Sequence, residues 1–327
     1  MSAPLVTARD LSVRFEARAG LWGARGVVHA VEAVDLEIQR GETLALVGET
    51  GSGKTTLGRA LLGLVPLHAG SVRFEGQELA RLSQQALRPL RKRMQTIFQD
   101  PYASLSPRRT VGQTVGEARA IHGMGTPASR ADHVARLLRR VGLSAEMADR
   151  LPRELSGGQR QRVGIARALA VEPAFIVADE PVSSLDASIQ AQILNLLVDL
   201  QGELGLTYLF ITHDLNVVEY LADRVAVMYL GRIVELAPVD ALFAHPQHPY
   251  TEALLRAVPR LGTAGTRTVL AGEPPSALAP PAGCAFSSRC PHATERCHKE
   301  VPPSFAAGPG HQVACFLHES SIREPAA

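Results

Sequence analysis

The order of apolar β-rich runs and amphipathic segments along these 327 residues predicts an α/β fold, a mostly parallel sheet wrapped by helices. Two further observations anchor that reading. One is a glycine-rich turn, GETGSGKTT at 48–56, set between a buried strand and a helix. The other is a Pro- and Gly-crowded tail that holds every cysteine of the chain. An apolar content of 46% supplies a sizeable core, and the length suggests two domains.

Taken in order, VDLEI, TLALV, SVRFEG and QTIF read as strands around the glycine-rich turn, a core running from about residue 5 to 98. From Asp100 to about Leu155 the period becomes helical, with VGQTVGEARAI and ADHVARLLRRVG. The strand pattern returns with FIVAD, TYLFIT and RVAVMYLGRIVEL, separated by the amphipathic IQAQILNLLVDLQGEL. Beyond HPQHPYTEALLRAVP at 245–259, residues 259–283 read as a linker, and 284–327 lack periodic structure.

The turn satisfies G-x-x-x-x-G-K-[ST] through Gly48, Gly53, Lys54 and Thr55. Converging backbone N–H groups and a helix N-terminus hold phosphate, and a Cβ at Gly51 or Gly53 would block that approach. Glu49, Thr50, Ser52 and Thr56 complete the candidate phosphate-binding loop; Lys54 reaches the terminal phosphates and Thr55 offers a hydroxyl to Mg²⁺. A second string, LSGGQ at 155–159, precedes the helical QRVGIARALAV, which makes Ser156 an N-cap and the helix tip a second candidate anion site. An ordinary capped helix explains Ser156 and Gly157, but not Gly158 and Gln159 with the Arg-rich continuation. Asp179 and Glu180 end the apolar run FIVADE.

In this order, Gly48–Thr56, Leu155–Gln159 and Phe175–Glu180 resemble the nucleotide-binding subunits of ABC transporters, over about residues 5–258. The resemblance implies a P-loop NTPase fold with an inserted helical subdomain at about 100–156. It also implies ATP and Mg²⁺ as cofactors, and two subunits paired head to tail so that the P-loop of one faces the signature loop of the other. By the same resemblance Asp179 holds Mg²⁺ through water, and Glu180 is the base that polarises the attacking water. Gln99, in TIFQDP, senses Mg²⁺ and the γ-phosphate; His213, in YLFITHD, is the switch histidine; Asp186 lies in the D-loop. Phe15, in LSVRF, is the expected adenine-stacking aromatic, with Trp22 and His29 as competitors in or near an extended hairpin tip.

Composition narrows the class. Net charge is only +2 and the basic residues are scattered, so RPLRKR and ARLLRR read as solvated helix faces rather than a nucleic-acid surface. No run approaches the ~18 apolar residues of a membrane span, and MSAPLVTARDLSVRF does not read as a signal peptide. The expectation is a soluble, cytoplasmic subunit that docks on separate membrane proteins.

Cys284, Cys290, Cys297 and Cys315 lie within 32 residues, with five, six and seventeen residues between them. Four clustered thiols suit a thiolate cage: zinc, although its usual C-x₂₋₄-C pairs are missing, or an iron–sulfur cluster; disulfides fit a reducing compartment poorly. HPYTEALLRAVP followed by GEPPSALAPPAGCAFSSRCPHATERC resembles the C-terminal region of oligopeptide and dipeptide import ATPases, which implies a [4Fe–4S] cluster on those four cysteines. FQDPYASLSPRRTVG and LSGGQRQRVGIARALA resemble the F-type subunit, with SSLDAS at 183–188 departing slightly from its usual SALDVS. The implied domains are 1–258 and a C-terminal region at 259–327. The implied partners are a D-type sister ATPase in a heterodimer, two membrane permease subunits and, indirectly, an extracytoplasmic solute-binding protein, on the cytoplasmic face of the membrane. A soluble ABC ATPase acting on nucleic acid or translation is the alternative, and an iron- or redox-sensing tail a third reading. The solute, among dipeptides, oligopeptides, nickel chelates and oligosaccharides, is not written in these motifs.

Overall fold

A computed structural model describes residues 3–18, 25–257, 272 and 275–322. Along the chain, β1 (Val6–Arg18) and β2 (Arg25–Ile38) are followed by β3 (Thr43–Val47), α1 (Lys54–Leu61), β4 (Ala69–Phe74) and β5 (Gln77–Glu78). Next come α2 (Gln84–Arg93), β6 (Met94–Ile97), α3 (Pro101–Ser104), α4 (Val111–Ile121), α5 (Pro127–Arg140) and α6 (Gly157–Leu169). The chain continues with β7 (Phe175–Asp179), α7 (Ala187–Leu204), β8 (Thr207–Ile211), α8 (Leu215–Leu221), β9 (Arg224–Tyr229) and β10 (Arg232–Pro238). It ends with α9 (Val239–Ala244), α10 (Pro249–Ala257), α11 (Glu295–Lys299), β11 (Phe305–Gly308) and β12 (His311–Val313).

Two compact units emerge. The first comprises Met1–Ala3, Gln39–Glu42 and Arg81–Phe210. Within it β8, β7 and β6 are neighbours in that order, and β6 runs parallel to β7. Helices α4, α5 and α6 start on side-chain caps: Thr110, Thr126 and Ser156 each accept a backbone N–H three residues on. Arginines tie this helical part together. Arg160 Nε donates to the Pro152 carbonyl at 2.6 Å and its guanidinium lies 3.8 Å from the Tyr102 ring centroid, while Arg167 Nη1 donates to the Ser104 carbonyl at 2.6 Å.

The second unit comprises Pro4–Ile38, Thr43–Ala80 and Ile211–Ala327. It holds an antiparallel sheet in the order β2-β1-β4-β5 and a run of strands β11-β12-β10-β9-β3. β3 pairs with β9 in parallel, but β9, β10, β12 and β11 are antiparallel to one another. The run RVAVMYLGRIVEL is therefore not one strand. It folds back at Leu230 and Gly231, both at positive φ, where a chain needs glycine or strain. The tail is also more structured than its composition suggests: β12 pairs with β10, adding the C-terminal segment to the sheet. Tyr229, Tyr250 and Phe286 form the aromatic hub of this unit, with ring centroids 4.6–5.4 Å apart and all three side chains almost completely buried. Val47, Val218, Val225 and Leu242 pack into the same cluster.

Candidate functional site

In the second unit β3 delivers the chain into the loop at 48–53, and α1 begins at Lys54. Gly53 occupies the N-cap at φ 103°, so α1 starts without a side-chain cap and its first N–H groups are not claimed by one. The glycines serve different ends. A Cβ on Gly48 would lie 2.1 Å from the Met228 carbonyl oxygen, and one on Gly53 would lie 2.0 Å from the Ala30 carbonyl oxygen. Close approach of this chain's own backbone therefore requires both, whereas nothing lies within 4 Å of a Cβ on Gly51, which keeps that side open. The Lys54 side chain is buried, with Nζ donating to the Gly48 carbonyl at 2.7 Å and to that of Glu49 at 2.9 Å. Ser52 Oγ is buried with no hydrogen-bond partner among the described residues. Glu49, Thr50, Gly51 and Ser52 line one wall of a cavity of about 150 Å³, faced by Tyr229, Leu230, Pro275 and Ala277. Thr55 and Thr56 lie in the first turn of α1.

The same unit carries His213, exposed after β8, just before the Asp214 cap of α8. Phe15 lies on β1 opposite Val28, with 40% of its surface exposed. His29 is engaged by Glu32 at 2.9 Å, and Glu32 also takes Arg14 at 2.9 Å. Trp22 lies outside the described residues.

In the first unit, Asp179 ends the buried β7 and Glu180 follows at φ 45°, a left-handed conformation that few non-glycine residues adopt. Gln99 Nε2 donates to Glu180 Oε2 at 2.9 Å, bringing together two of the expected residues that lie 81 positions apart. At the other anion site, Ser156 Oγ accepts the Gln159 N–H at 3.3 Å and Gln159 Oε1 accepts the Ser156 N–H at 2.9 Å, a reciprocal capping box. A Cβ on Gly158 would meet Ile189 Cγ2 at 2.5 Å, so helix packing asks for that glycine, while Gly157 and the exposed Ser156 lie at the tip. Capping and packing thus account for much of a string that the sequence alone assigned to anions. Asp186 caps α7, accepting the Ile189 N–H at 3.0 Å and the Ser188 hydroxyl at 2.8 Å, and these bonds hold its carboxyl below the usual range.

In the C-terminal segment Cys284, Cys290, Cys297 and Cys315 are all unpaired thiols lining one cavity of about 90 Å³ together with His248 and His292. Burial raises the thiols of Cys284, Cys290 and Cys315, the last to about 11, and neighbouring cysteines push the same way. Against this, the backbone N–H two residues on, at Phe286, His292 and Leu317, points at each of these three sulfurs and favours the thiolate. His248 is buried, and burial lowers its pKa to about 3. Its Nδ1 accepts the Tyr250 N–H at 3.0 Å, so Nε2 carries the proton, and that buried donor has no partner among the described residues. Among the described residues no group of three or more His, Cys, Asp or Glu side chains is drawn into a shell for a single metal ion. The donor set is nevertheless the one an electron-rich thiolate-bound group needs: four thiols on one cavity, N–H groups aimed at sulfur, and a buried imidazole donor without an acceptor.

Comparison with known proteins decides the family. The model for ABC transporters matches residues 31–183, and that for the oligopeptide/dipeptide transporter C-terminal region matches 234–297. The chain is 52% identical to the "Probable peptide ABC transporter ATP-binding protein y4tS" of Sinorhizobium fredii, covering all of this chain and 92% of that protein. It is 48% identical to the oligopeptide transport ATP-binding protein AppF of Bacillus subtilis, over 95% of this chain and 96% of AppF. The chain belongs to the ABC transporter ATP-binding family. Among solved structures, the ATP-binding cassette MJ0796, a dimer in a post-hydrolysis state bound to ADP and Pi, matches with a TM-score of 0.64, 28% identity, and coverage of 72% of this chain and 98% of that one. The cbiO1 protein of Clostridium perfringens, part of the ABC transporter complex cbiONQ, gives the same TM-score at 30% identity over 75% of this chain and 92% of its own.

As an ABC ATPase the chain binds and hydrolyses ATP, and its core is the P-loop nucleotide-binding fold. Among the described residues no helix is long and apolar enough to cross a membrane. Three side chains that sequence reasoning did not single out surround the nucleotide and cysteine motifs. Tyr250 Oη accepts the Glu49 N–H at 2.9 Å, Arg289 pairs with the Glu49 carboxylate at 2.9 Å, and His248 lines the cysteine cavity. The HPY string contained the signal for two of them. Arg289 is one arginine among many, and its sequence context gives no sign of this contact.

Proposed function

We propose that this ABC ATPase energises import of peptides or chemically similar solutes through membrane permease subunits. The observation that carries the reading is the whole-chain match, at about 50% identity, to peptide-transport ATP-binding proteins, spanning both the cassette and the cysteine-bearing region. Two permeases, an external solute-binding protein and a D-type sister ATPase complete the assembly, with this chain as the F-type subunit on the cytoplasmic face. The chain divides into an ATPase domain at 1–258, with its helical subdomain at about 100–156, and a C-terminal region at 259–327.

In this reading Lys54 leaves the loop carbonyls for the β- and γ-phosphates, and Thr55, Gln99 and Asp179 hold Mg²⁺. Gly48–Thr56 cradle the phosphates and Phe15 stacks on adenine. Glu180 orients and polarises the attacking water, with Gln99 holding its carboxylate until nucleotide arrives, and His213 contacts the γ-phosphate. Ser156, Gly157, Gly158 and Gln159, with Asp186 behind them, close on the ATP held by the opposing subunit. Catalysis by such a site is mainly positioning and charge stabilisation. Cys284, Cys290, Cys297 and Cys315 hold a [4Fe–4S] cluster, which supplies a redox-active, negatively charged centre; a zinc ion is the competing occupant. His248, on the same cavity with Nε2–H buried and without a partner among the described residues, would be a donor to that group.

The test is reconstitution of the full transporter in vesicles. Peptide uptake that depends on ATP and stops with Glu180→Gln supports the reading; full ATPase activity with no stimulation by binding protein and peptide, and no uptake, contradicts it.

A further inference from the structure

We propose that Arg289 is a positioning residue for the phosphate loop, extended to it from the cysteine-bearing segment. Arg289 Nη1 donates to Glu49 Oε2 at 2.9 Å and to Oε1 at 3.1 Å, and it also reaches the Tyr229 hydroxyl at 3.3 Å. The Arg289 side chain is only 6% exposed and that of Glu49 25%, so the pair sits largely out of water.

Glu49 is the residue through which the loop is held. Its N–H donates to Tyr250 Oη at 2.9 Å, its carboxylate takes Arg289, and its carbonyl accepts from Lys54 Nζ at 2.9 Å. Both the N–H and the carboxylate are therefore gripped by residues from beyond the cassette strands, at 250 and 289, and the third group touches the lysine that must turn to phosphate. A carboxylate beside a triphosphate site repels its ligand unless a cation neutralises it. An ion pair shielded this well leaves an uncompensated charge if one member is lost. Arg289 thus does two things at once: it cancels the charge of Glu49 and fixes the loop geometry from which Lys54 works.

The arm is rigid at its base. Arg289 N–H donates to the Phe286 carbonyl at 3.0 Å, Phe286 lies in the aromatic hub, and the next residue, Cys290, lines the thiol cavity. Whatever fixes the Cys290 turn therefore also fixes the hand that holds Glu49. The contacts to both Glu49 carboxylate oxygens and to the Tyr229 hydroxyl run through Nη1, so a lysine ammonium with three donors is a fair substitute for the hold on Glu49.

The inference rests on the phosphate-loop reading above, and the experiment separates the two. ATP affinity is measured on the full-length protein by titration with a fluorescent ATP analogue. Arg289→Ala is expected to weaken binding about tenfold, the size of one charge-assisted hydrogen bond, and Arg289→Lys to recover most of the loss. In a Glu49→Ala background, removing Arg289 should change affinity by less than about twofold, because the partner is already gone. In the assembled transporter KM for ATP should rise by the same factor while kcat falls far less, the signature of lost binding rather than lost chemistry. Wild-type affinity in Arg289→Ala, or an undiminished tenfold loss in the Glu49→Ala background, overturns the proposal. Should Arg289→Ala not fold, Arg289→Gln carries the same expectation and the same refutation. Lys54→Ala is the control: if it binds ATP like wild type, the phosphate-loop reading itself fails, and this inference with it.

Discussion

Single residues carry the sharpest expectations. Glu180 follows a buried strand at a strained φ of 45° and is bonded by Gln99 at 2.9 Å, so its carboxylate is held before any nucleotide is present. A positioned base contributes about 10²–10⁴ in rate. Glu180→Gln should therefore keep ATP affinity within about twofold while lowering turnover by at least about 10²; equal turnover in the assembled complex would remove Glu180 from the role. Gly53 gives a stability prediction. A Cβ there meets a backbone carbonyl at 2.0 Å and the residue sits at φ 103°. Gly53→Ala should destabilise the fold by about 1–3 kcal/mol or more, read as a lower urea midpoint at unchanged slope. Gly51→Ala is expected to act differently. It meets no neighbour at its Cβ, so its cost is the positive φ alone, about 1 kcal/mol, and a larger loss would mean that the open side of the loop is not open in solution. The sequence shows that Gly48 and Gly53 are glycines, but not why, because the reason lies in the Met228 and Ala30 carbonyls that the fold brings against them.

At the scale of elements, the strand–loop–helix unit was legible because period, glycine spacing and a following lysine all agree, and β3 and α1 form where that pattern places them. Ser156 as an N-cap was equally legible, and the capping box shows why Gln159 follows it. Ser156→Ala should cost about 1 kcal/mol of stability, measured by chemical denaturation. If the helix tip also serves an opposing ATP, the same change should lower the turnover of the assembled pair by far more than the stability loss explains. A turnover unchanged in that variant would leave Ser156 a cap and nothing else. The reversal between β9 and β10 was not legible, since the two form one continuous apolar run whose turn depends on Leu230 and Gly231 taking positive φ. Nor were β11 and β12, short strands held by the pairing of β12 with β10 and of β11 with β12 rather than by their own pattern.

For the whole molecule, motif order was enough to reveal the family, because the chemistry of phosphate binding restricts which residues can stand at 48–56, 155–159 and 175–180. What joins the cysteine segment to the nucleotide loop was hidden: Arg289 and Glu49 are 240 residues apart, and only the fold makes them partners. The cysteine cavity sets a prediction at this scale. Protein purified without oxygen should carry iron and acid-labile sulfide with broad visible absorption, and Cys290→Ser should abolish both; one zinc per chain without iron would assign the cavity to a structural ion. The central claim is that ATP is bound by the phosphate loop of one subunit and the Ser156 helix tip of the subunit facing it. The most direct measurement is a structure of the assembled transporter carrying Glu180→Gln, trapped with Mg²⁺ and ATP. The account predicts nucleotide against Lys54 on one side and an opposing signature helix on the other, and ATP enclosed wholly by a single polypeptide would contradict it.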